Sequence, residues 1–405
     1  MPARPLVIDD LPPPPAGRTG WPWTEASQVR TDPRTPSVSL VTPSFNQAAF
    51  LEETIRSVLL QGYCNLQYII IDGGSNDGSV SILEKYAPWL DFWTSEPDNG
   101  QSDAIRKGLT QATGDWCNWL NSDDTLKPNA LHGLVELARS HPKADILAGR
   151  TENIRNGQSF GQYGVTLAQA SPHCFFTLGV NQPGSLIRRT RLLQVGSLRN
   201  ELHLSMDLDL WLRIMIPNGA SAIAQTEKTV ATYRYHDSSK TCSDDDVFAL
   251  EEFVILHDLA VAAGSSLASK LTTLRQLSSL PTLRYPAPRA LAVTDVDQAF
   301  ARRLLVDDNL LFRALQRSGL THQRVISKFS HLLEQMLPTA ATLLGYSSER
   351  LEARALMQAQ QSMGRLVPHL WWRALRCWPR PTILTDGLRL LRATRIRQHQ
   401  PTEQT

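Results

Sequence analysis

Apolar and polar positions alternate along residues 37–150 in a way that predicts strand after helix after strand. "VSLVTPSFN", from Val38, is a β-branched apolar run closed by a Pro/Ser/Asn turn. "AAFLEETIRSVLLQ" then sets Phe50, Leu51, Ile55, Val58 and Leu59 at helical spacing. "LQYIIIDGGSNDGS" reads as a buried strand running into an Asp/Gly/Ser/Asn loop, and "VSILEKYAPW" as the next helix. "LDFWTSEPDNGQ" and "SDAIRKGLTQAT" repeat the unit, with Gly114 expected to stop that helix from the C′ position. "DWCNWL", "NALHGLVELARS" and "ADILAGRTENI" continue it. Strands alternating with helices of this length predict βαβ units, an α/β fold with a mostly parallel sheet flanked by helices.

The texture changes on either side. Residues 1–35 hold a "PPPP" run and little periodicity, which predicts a flexible Pro-rich arm. Between 150 and 236, "GQYGVT", "NQPGSLIRRT" and "KTVATYRYH" read as short strands, and "SMDLDLWLRIMIPNG" as a helix ending at Pro217 and Gly219. Beyond about 245 the pattern is largely α-helical. The expected organisation is an arm over 1–35, an α/β domain over 36–245 with halves 36–150 and 151–245, and a helical C-terminal region over 246–405.

Composition changes this picture in three places. The net charge of +2 hides an uneven distribution: residues 281–405 carry 18 Lys+Arg, 17 of them Arg, against 9 Asp+Glu, while 1–280 carry 23 against 30. A basic tail on an acidic body suggests contact with an anionic surface, a membrane or a protein partner, or simply a solvated helical face. The mixture of Trp, Leu and Arg in "LVPHLWWRALRCWPRPTILTDGLRLLRATRIRQ" suits an interfacial helix or one packed on a domain. Five widely spaced cysteines without C-x-x-C argue for a reducing compartment and against a zinc site. No apolar stretch reaches the roughly 18 residues of a spanning helix, and the start lacks the layout of a signal peptide. A cytoplasmic location, with peripheral attachment at the inner face of the membrane as an option, is the expectation.

In parallel sheets ligands bind beyond the carboxyl ends of the strands. That rule gathers loops 43–47, 72–78, 96–103 and 121–125 on one edge, all rich in Asp, Asn, Ser and Gly. Adjacent Asp123 and Asp124 repel one another unless a cation or hydrogen-bond donors compensate. Mg²⁺ takes such oxygen ligands together with substrate phosphates, so a metal–diphosphate site is one reading and a helix N-cap the other. Asp72 has the same two faces: a carboxylate that accepts a nucleobase N–H, or an Asx-turn opening "GGSNDG". The standard dinucleotide and P-loop motifs are absent.

"VTPSFNQAAFLEETIRSVLLQ", "IIIDGGSNDGS", "EPDNGQSDAIRKGL" and "GDWCNWLNSDD", in that order, resemble the nucleotide-binding half of the family 2 glycosyltransferases, which have the GT-A fold. The similarity covers roughly 37–150 and continues more weakly to about 240 through "MDLDLWLR" and "YRYHDSSKT". It implies a nucleotide-diphosphate-sugar donor, a saccharide or lipid-linked saccharide acceptor, Mg²⁺ or Mn²⁺ as cofactor, and polysaccharide or lipopolysaccharide assembly as the setting; nucleic acid is not an expected partner. By position, Pro43 and Ser44 would lie under the nucleotide and Asp72 against its base. Asp98, Gly100 and Asp103 would line the donor cleft, and Asp123 and Asp124 would serve the metal and ribose. Asn121 stands where many members carry Asp, which leaves open which of the two acids ligates. Inverting transfer needs a general base. The resemblance favours Asp207 over Asp209, the alternative for both being charge against the helix dipole. His236 is a candidate metal or phosphate ligand, with a structural hydrogen bond as its plainer role. Ser239 and Lys240 are candidates for the diphosphate, Asn181 to Arg189 for the acceptor wall, and Trp211 for the core. A nucleotidyltransferase making the activated sugar and a non-catalytic carbohydrate-binding protein are the rival functions; "TPSFNQ" lacks the Gly-rich basic loop of the first, and the retained acids disfavour the second.

Overall fold

In a computed structural model of the chain, residues 4–32, 34–164, 179–237, 239, 245–288, 292–307, 309–363 and 367–377 are described. They divide into two compact units, 1–243 and 244–405. The first holds strands β1 (Val38–Ser44), β2 (Leu66–Asp72), β3 (Phe92–Ser95), β4 (Trp116–Trp119), β5 (Thr125–Leu126), β6 (Ile146–Arg155), β7 (Gln158–Tyr163), β8 (Ser185–Arg188) and β9 (Ile223–Tyr235). Among the described residues they form one sheet in the order β3-β2-β1-β4-β8-β6-β9-β5, with β7 added to β6.

Strand direction decides where a ligand can sit. β1 pairs parallel with β2 and β4, and β2 with β3. β8 runs antiparallel to both β4 and β6, and β6 runs parallel to β9. β6 and β9 therefore point the same way as β1–β4, and all six carboxyl ends share one edge. All seven residues of β1 are buried, as expected for a central strand covered on both faces. One face of Leu40, Tyr68 and Ile70 packs with Leu51, Ile55 and Val58 of α1 (Ala48–Leu59) and Leu131 and Leu134 of α4 (Ala130–Ser140). Helices α2 (Ser79–Tyr86) and α3 (Gln101–Gln111) complete the crossovers. α3 covers the opposite face: a Cβ at its Gly108 would lie 2.3 Å from Val41 Cγ1. Gly114 does not stop α3, which ends at Gln111 with an extended cap at Ala112. A Cβ at Gly114 would sit 2.7 Å from Ser39 N, so the position is kept small by the approach of β1.

The flexible arm expected at the N-terminus is instead packed onto this unit. Leu6, Leu11 and Trp23 are buried, and Trp21 Nε1 donates to the Leu126 carbonyl at 2.8 Å. Arg56 of α1 is fully buried. Its guanidinium donates to the carbonyls of Pro12 (2.8 Å), Pro22 (3.1 Å) and Trp23 (3.0 Å) and to the Tyr86 hydroxyl (3.1 Å). Isolated anchors on a chain without regular structure leave no period in the sequence, which is why the segment read as an arm. Arg56→Ala strands three carbonyls in the core and is expected to cost about 3 kcal/mol of unfolding free energy, with Arg56→Lys recovering little because an ammonium cannot reproduce the fork. Urea denaturation monitored by tryptophan fluorescence measures both.

The second unit is helical: α7 (Asp245–Ala262), α8 (Ser266–Ser269), α9 (Thr272–Arg275), α10 (Val293–Arg302), α11 (Leu310–Arg317), α12 (His322–Leu344), α13 (Ser348–Ser362) and α14 (Pro368–Cys377). Phe312 meets Phe329 edge-on at 5.1 Å in its core, and the buried Asp258 carboxylate receives Arg275 Nε at 2.9 Å. No described helix is long and apolar enough to cross a membrane. The Arg-rich tail beyond Cys377 lies outside the described residues.

Candidate functional site

The loops after β1 and β2 build each other. Asn46 adopts φ 53° and donates its amide to Ser75 Oγ at 2.7 Å, while its side-chain oxygen accepts from Asn76 N at 2.9 Å. Asp77 caps α1 from outside, accepting Ala48 N–H at 2.8 Å along with the amide and hydroxyl of Ser79. Burial tends to raise the Asp77 pKa, but the Ala48 amide and the two Ser79 donors outweigh it and hold the carboxyl below its ordinary value. A depressed folded-state pKa contributes stability above about pH 4 that is lost as pH falls through the folded value. Asp77→Ala should therefore lower the stability by about 1 kcal/mol at pH 7, and the gap to wild type should close below pH 4 in thermal melts.

Asp72 ends β2 fully buried. Its carboxylate accepts from Ser75 Oγ (2.6 Å), Ser75 N (2.8 Å), Gly74 N (3.2 Å) and Ser95 Oγ (2.7 Å). It is the Asx-type anchor of its own loop. Pro43 and Ser44 end β1 beside it; Ser44 Oγ is buried and has no hydrogen-bond partner among the described residues. Phe45, next in the chain, is 60% exposed, and its ring lies close to Gly73. Nothing in the local sequence pattern marks Phe45 as an exposed ring at a strand tip.

The loop after β3 is tied by its own acids. Asp98 Oδ1 accepts Gly100 N–H at 2.7 Å, with Asp98 Oδ2 close to Gly73. Asp103, in the first turn of α3, accepts Asn99 N–H at 3.1 Å, and Lys107 lies 3.4 Å away. The Asn99 amide is the chief reason its pKa falls below the ordinary carboxylate range. Gln101 reaches across to the fourth loop, donating to Asn121 Oδ1 at 2.8 Å. Asn121 in turn donates to Asp124 Oδ2 at 3.4 Å.

The two adjacent acids have unlike surroundings. Asp124 is 1% exposed and accepts the Arg234 amide of β9 at 2.9 Å. Burial, then the charge of Asp123, push its pKa well above the ordinary carboxylate value. Thr54 of α1 clamps the same loop, its hydroxyl within 2.8 Å of the Ser122 carbonyl and 2.7 Å of the Asp124 carbonyl. Asp123 remains 18% exposed and meets His236 Nε2 at 2.9 Å. The His236 ring lies over Phe50 at 4.6 Å, and the Arg234 guanidinium covers Phe50 at 5.0 Å while pairing with Glu53 at 3.2 Å. Among the described residues no three His, Cys, Asp or Glu side chains gather as a metal cage. Asp123 Oδ2 is an oxygen ligand of the kind Mg²⁺ and Mn²⁺ take, and with His236 Nε2 beside it would serve such an ion only as part of a set, with phosphate oxygens and water supplying the rest.

After β8 come helices α5 (Arg189–Val195) and α6 (Met206–Met215), and the segment that leads into α6 is tied to α3. Ser102 Oγ of α3 donates to the Leu202 carbonyl just before it, at 2.9 Å. Trp211 is buried and stacks on Trp119, the last residue of β4, at 6.2 Å and 12°, as the core position expected of it. Asp207 shares that helix face one turn nearer the N-terminus, with Oδ1 accepting Leu208 N–H at 2.8 Å. Asp209 is fully buried against Arg213 (2.8 Å) and Arg199 (3.4 Å), an ion-paired structural role. The turn Gln182–Gly184 packs against β4 through reciprocal amide contacts between Gln182 and Asn118. Ser239 is buried; Lys240 lies outside the described residues.

Residues 39–188 match the model of Glycosyl transferase family 2. An uncharacterized glycosyltransferase of Mycobacterium tuberculosis is 42% identical over 103 residues, 25% of this chain and 39% of that protein. A PGL/p-HBAD biosynthesis glycosyltransferase of Mycobacterium bovis is 30% identical over 133 residues, 31% of this chain and 52% of that protein. The chain thus matches less than two thirds of the length of these relatives. The crystal structure of S. aureus TarS 1-349 in complex with UDP-GlcNAc superposes with a TM-score of 0.51 at 16% identity, covering 91% of this chain and 93% of that one. This likeness is one of fold, a GT-A-like sheet flanked by helices.

Proposed function

We propose that this chain, whose residues 39–188 make up a family 2 glycosyltransferase domain, transfers a sugar with inversion from a nucleotide-diphosphate sugar to a hydroxyl of a saccharide or lipid-linked saccharide. The observation that carries the reading is the Asp123–His236 pair, 2.9 Å apart and partly open to solvent, at the sheet edge where parallel strands receive ligands. Buried Asp124 holds the loop in place through the Arg234 amide and leaves Asp123 as the ligating acid. A bound Mg²⁺ or Mn²⁺ would neutralise the diphosphate as it leaves. Ser44 Oγ, without a partner among the described residues, offers a hydrogen bond to the nucleotide, and the exposed Phe45 ring offers a flat surface to the base. Asp207, on the α6 face turned to β4, takes the acceptor proton. The setting that goes with this reading is polysaccharide or lipopolysaccharide assembly; one relative is named for PGL/p-HBAD biosynthesis. Titration calorimetry with UDP and GDP, each with and without Mn²⁺, tests the reading: one nucleotide should bind, and only with the metal. Absence of binding by both under both conditions would remove it.

A further inference from the structure

We propose that the β6–β7 hairpin and the end of β9 form a shelf that holds the saccharide chain of the acceptor beyond the sugar unit that receives the transfer. This rests on the transfer reaction proposed above and adds residues that reaction does not use. All six residues of β7 are exposed, including Phe160 (54%) and Tyr163 (46%), an unusual display for an edge strand. A tight turn at Asn156 and Gly157, both at positive φ, joins β7 to β6.

The register brings the aromatic side chains together. Thr151 pairs with Tyr163 across β6–β7, and Asn153 and Arg155 pair with Tyr233 and Tyr235 across β6–β9. Residues directly paired share a face of the sheet. The ladder is irregular between Asn153 and Ile154, leaving Phe160 as the extra residue of a bulge, which re-aims a side chain. Its ring meets Tyr235 edge-on at 5.0 Å, and Tyr235 meets Tyr233 at 4.9 Å. The Arg155 guanidinium lies 5.6 Å from the Phe160 ring centre and 5.5 Å from that of Tyr235.

Chemistry and place both point to a glycan. Pyranose rings offer C–H faces to flat aromatic surfaces and hydroxyls at their rims; phenol groups and a guanidinium among the rings answer both. β6 and β9 end on the same edge as β1–β4, and Tyr235 directly precedes His236, which touches Asp123. On this face Thr151 Oγ1 lies beside Gly184 of the Gln182–Gly184 turn, so the shelf adjoins the segment expected to wall the acceptor.

The test probes the full chain, with UDP and Mn²⁺ present, against an array of immobilised mono- to hexasaccharides, neutral and uronate-bearing. Wild type should retain oligosaccharides of two or more units more tightly than monosaccharides. Phe160→Ala and, separately, Tyr235→Ala should weaken that retention at least tenfold; because Phe160 is exposed, its removal should leave the thermal melt in place and keep the reading independent of folding. Retention of no glycan by wild type, or equal retention by Phe160→Ala, would overturn the shelf. So would loss in Phe160→Ala of binding to phosphatidylcholine vesicles with glycan retention intact, which would make the surface a lipid contact. Calorimetry of UDP and GDP binding to wild type in parallel separates the two ideas: nucleotide bound but no glycan defeats the shelf alone, whereas no nucleotide bound defeats the transfer reading beneath it.

Discussion

Asp207→Asn is expected to lower turnover by about 10²–10⁴-fold while nucleotide affinity in the presence of Mn²⁺ stays at the wild-type level. The amide keeps the size of the carboxylate and can still accept the Leu208 N–H through its oxygen, so the first turn of α6 should survive. What it loses is basicity, and a hydroxyl attacking an anomeric carbon as a diphosphate departs needs somewhere to send its proton. Asp209→Asn is the matched control with the opposite signature. Asp209 is buried between Arg213 and Arg199, so its neutralisation leaves buried guanidinium charge uncompensated and should appear as lost stability. Single-turnover kinetics with a competent donor and acceptor, beside urea melts of both variants, separates the two acids. Wild-type turnover in Asp207→Asn would remove Asp207 from the reaction.

The two acids of "MDLD" look alike in the sequence, yet the structure gives them unlike surroundings, and the same holds for Asp123 and Asp124. What was legible came from local pattern. Buried parallel strands must be apolar on both faces, so β1 and β2 stand out as "VSLV" and "YIII", and the polar loops that follow mark the ligand edge. The Asx-turn at Asp72 was equally local, because its partners Gly74 and Ser75 lie two and three residues on. What was hidden came from distance along the chain. Asp124 is the buried member of its pair because the Arg234 amide, 110 residues away, arrives on β9 to meet it. Arg56 is bound by carbonyls 33 to 44 residues upstream, in a segment with no period to betray its packing. The Phe160–Tyr235 contact depends on the register of three strands.

The second large effect follows from the roles proposed for the two acids of the loop. Asp123→Ala should abolish the enhancement of nucleotide binding by Mn²⁺. Loss of groups that merely support a metal ligand commonly costs 10–100-fold in metal affinity, and with Asp123 in the proposed role of ligand its loss should cost at least about 100-fold. Asp124→Asn should behave differently. An amide oxygen can still accept the Arg234 N–H, so part of the loop geometry and of the metal response should remain. His236→Ala removes the nitrogen 2.9 Å from Asp123 and the ring over Phe50, and should fall between the two. Calorimetric titration of Mn²⁺ in the presence of saturating UDP or GDP ranks the three variants. Full Mn²⁺ enhancement in Asp123→Ala with loss in Asp124→Asn would reverse the assignment, and would mean that the loop must turn over to present its buried acid before a nucleotide can bind.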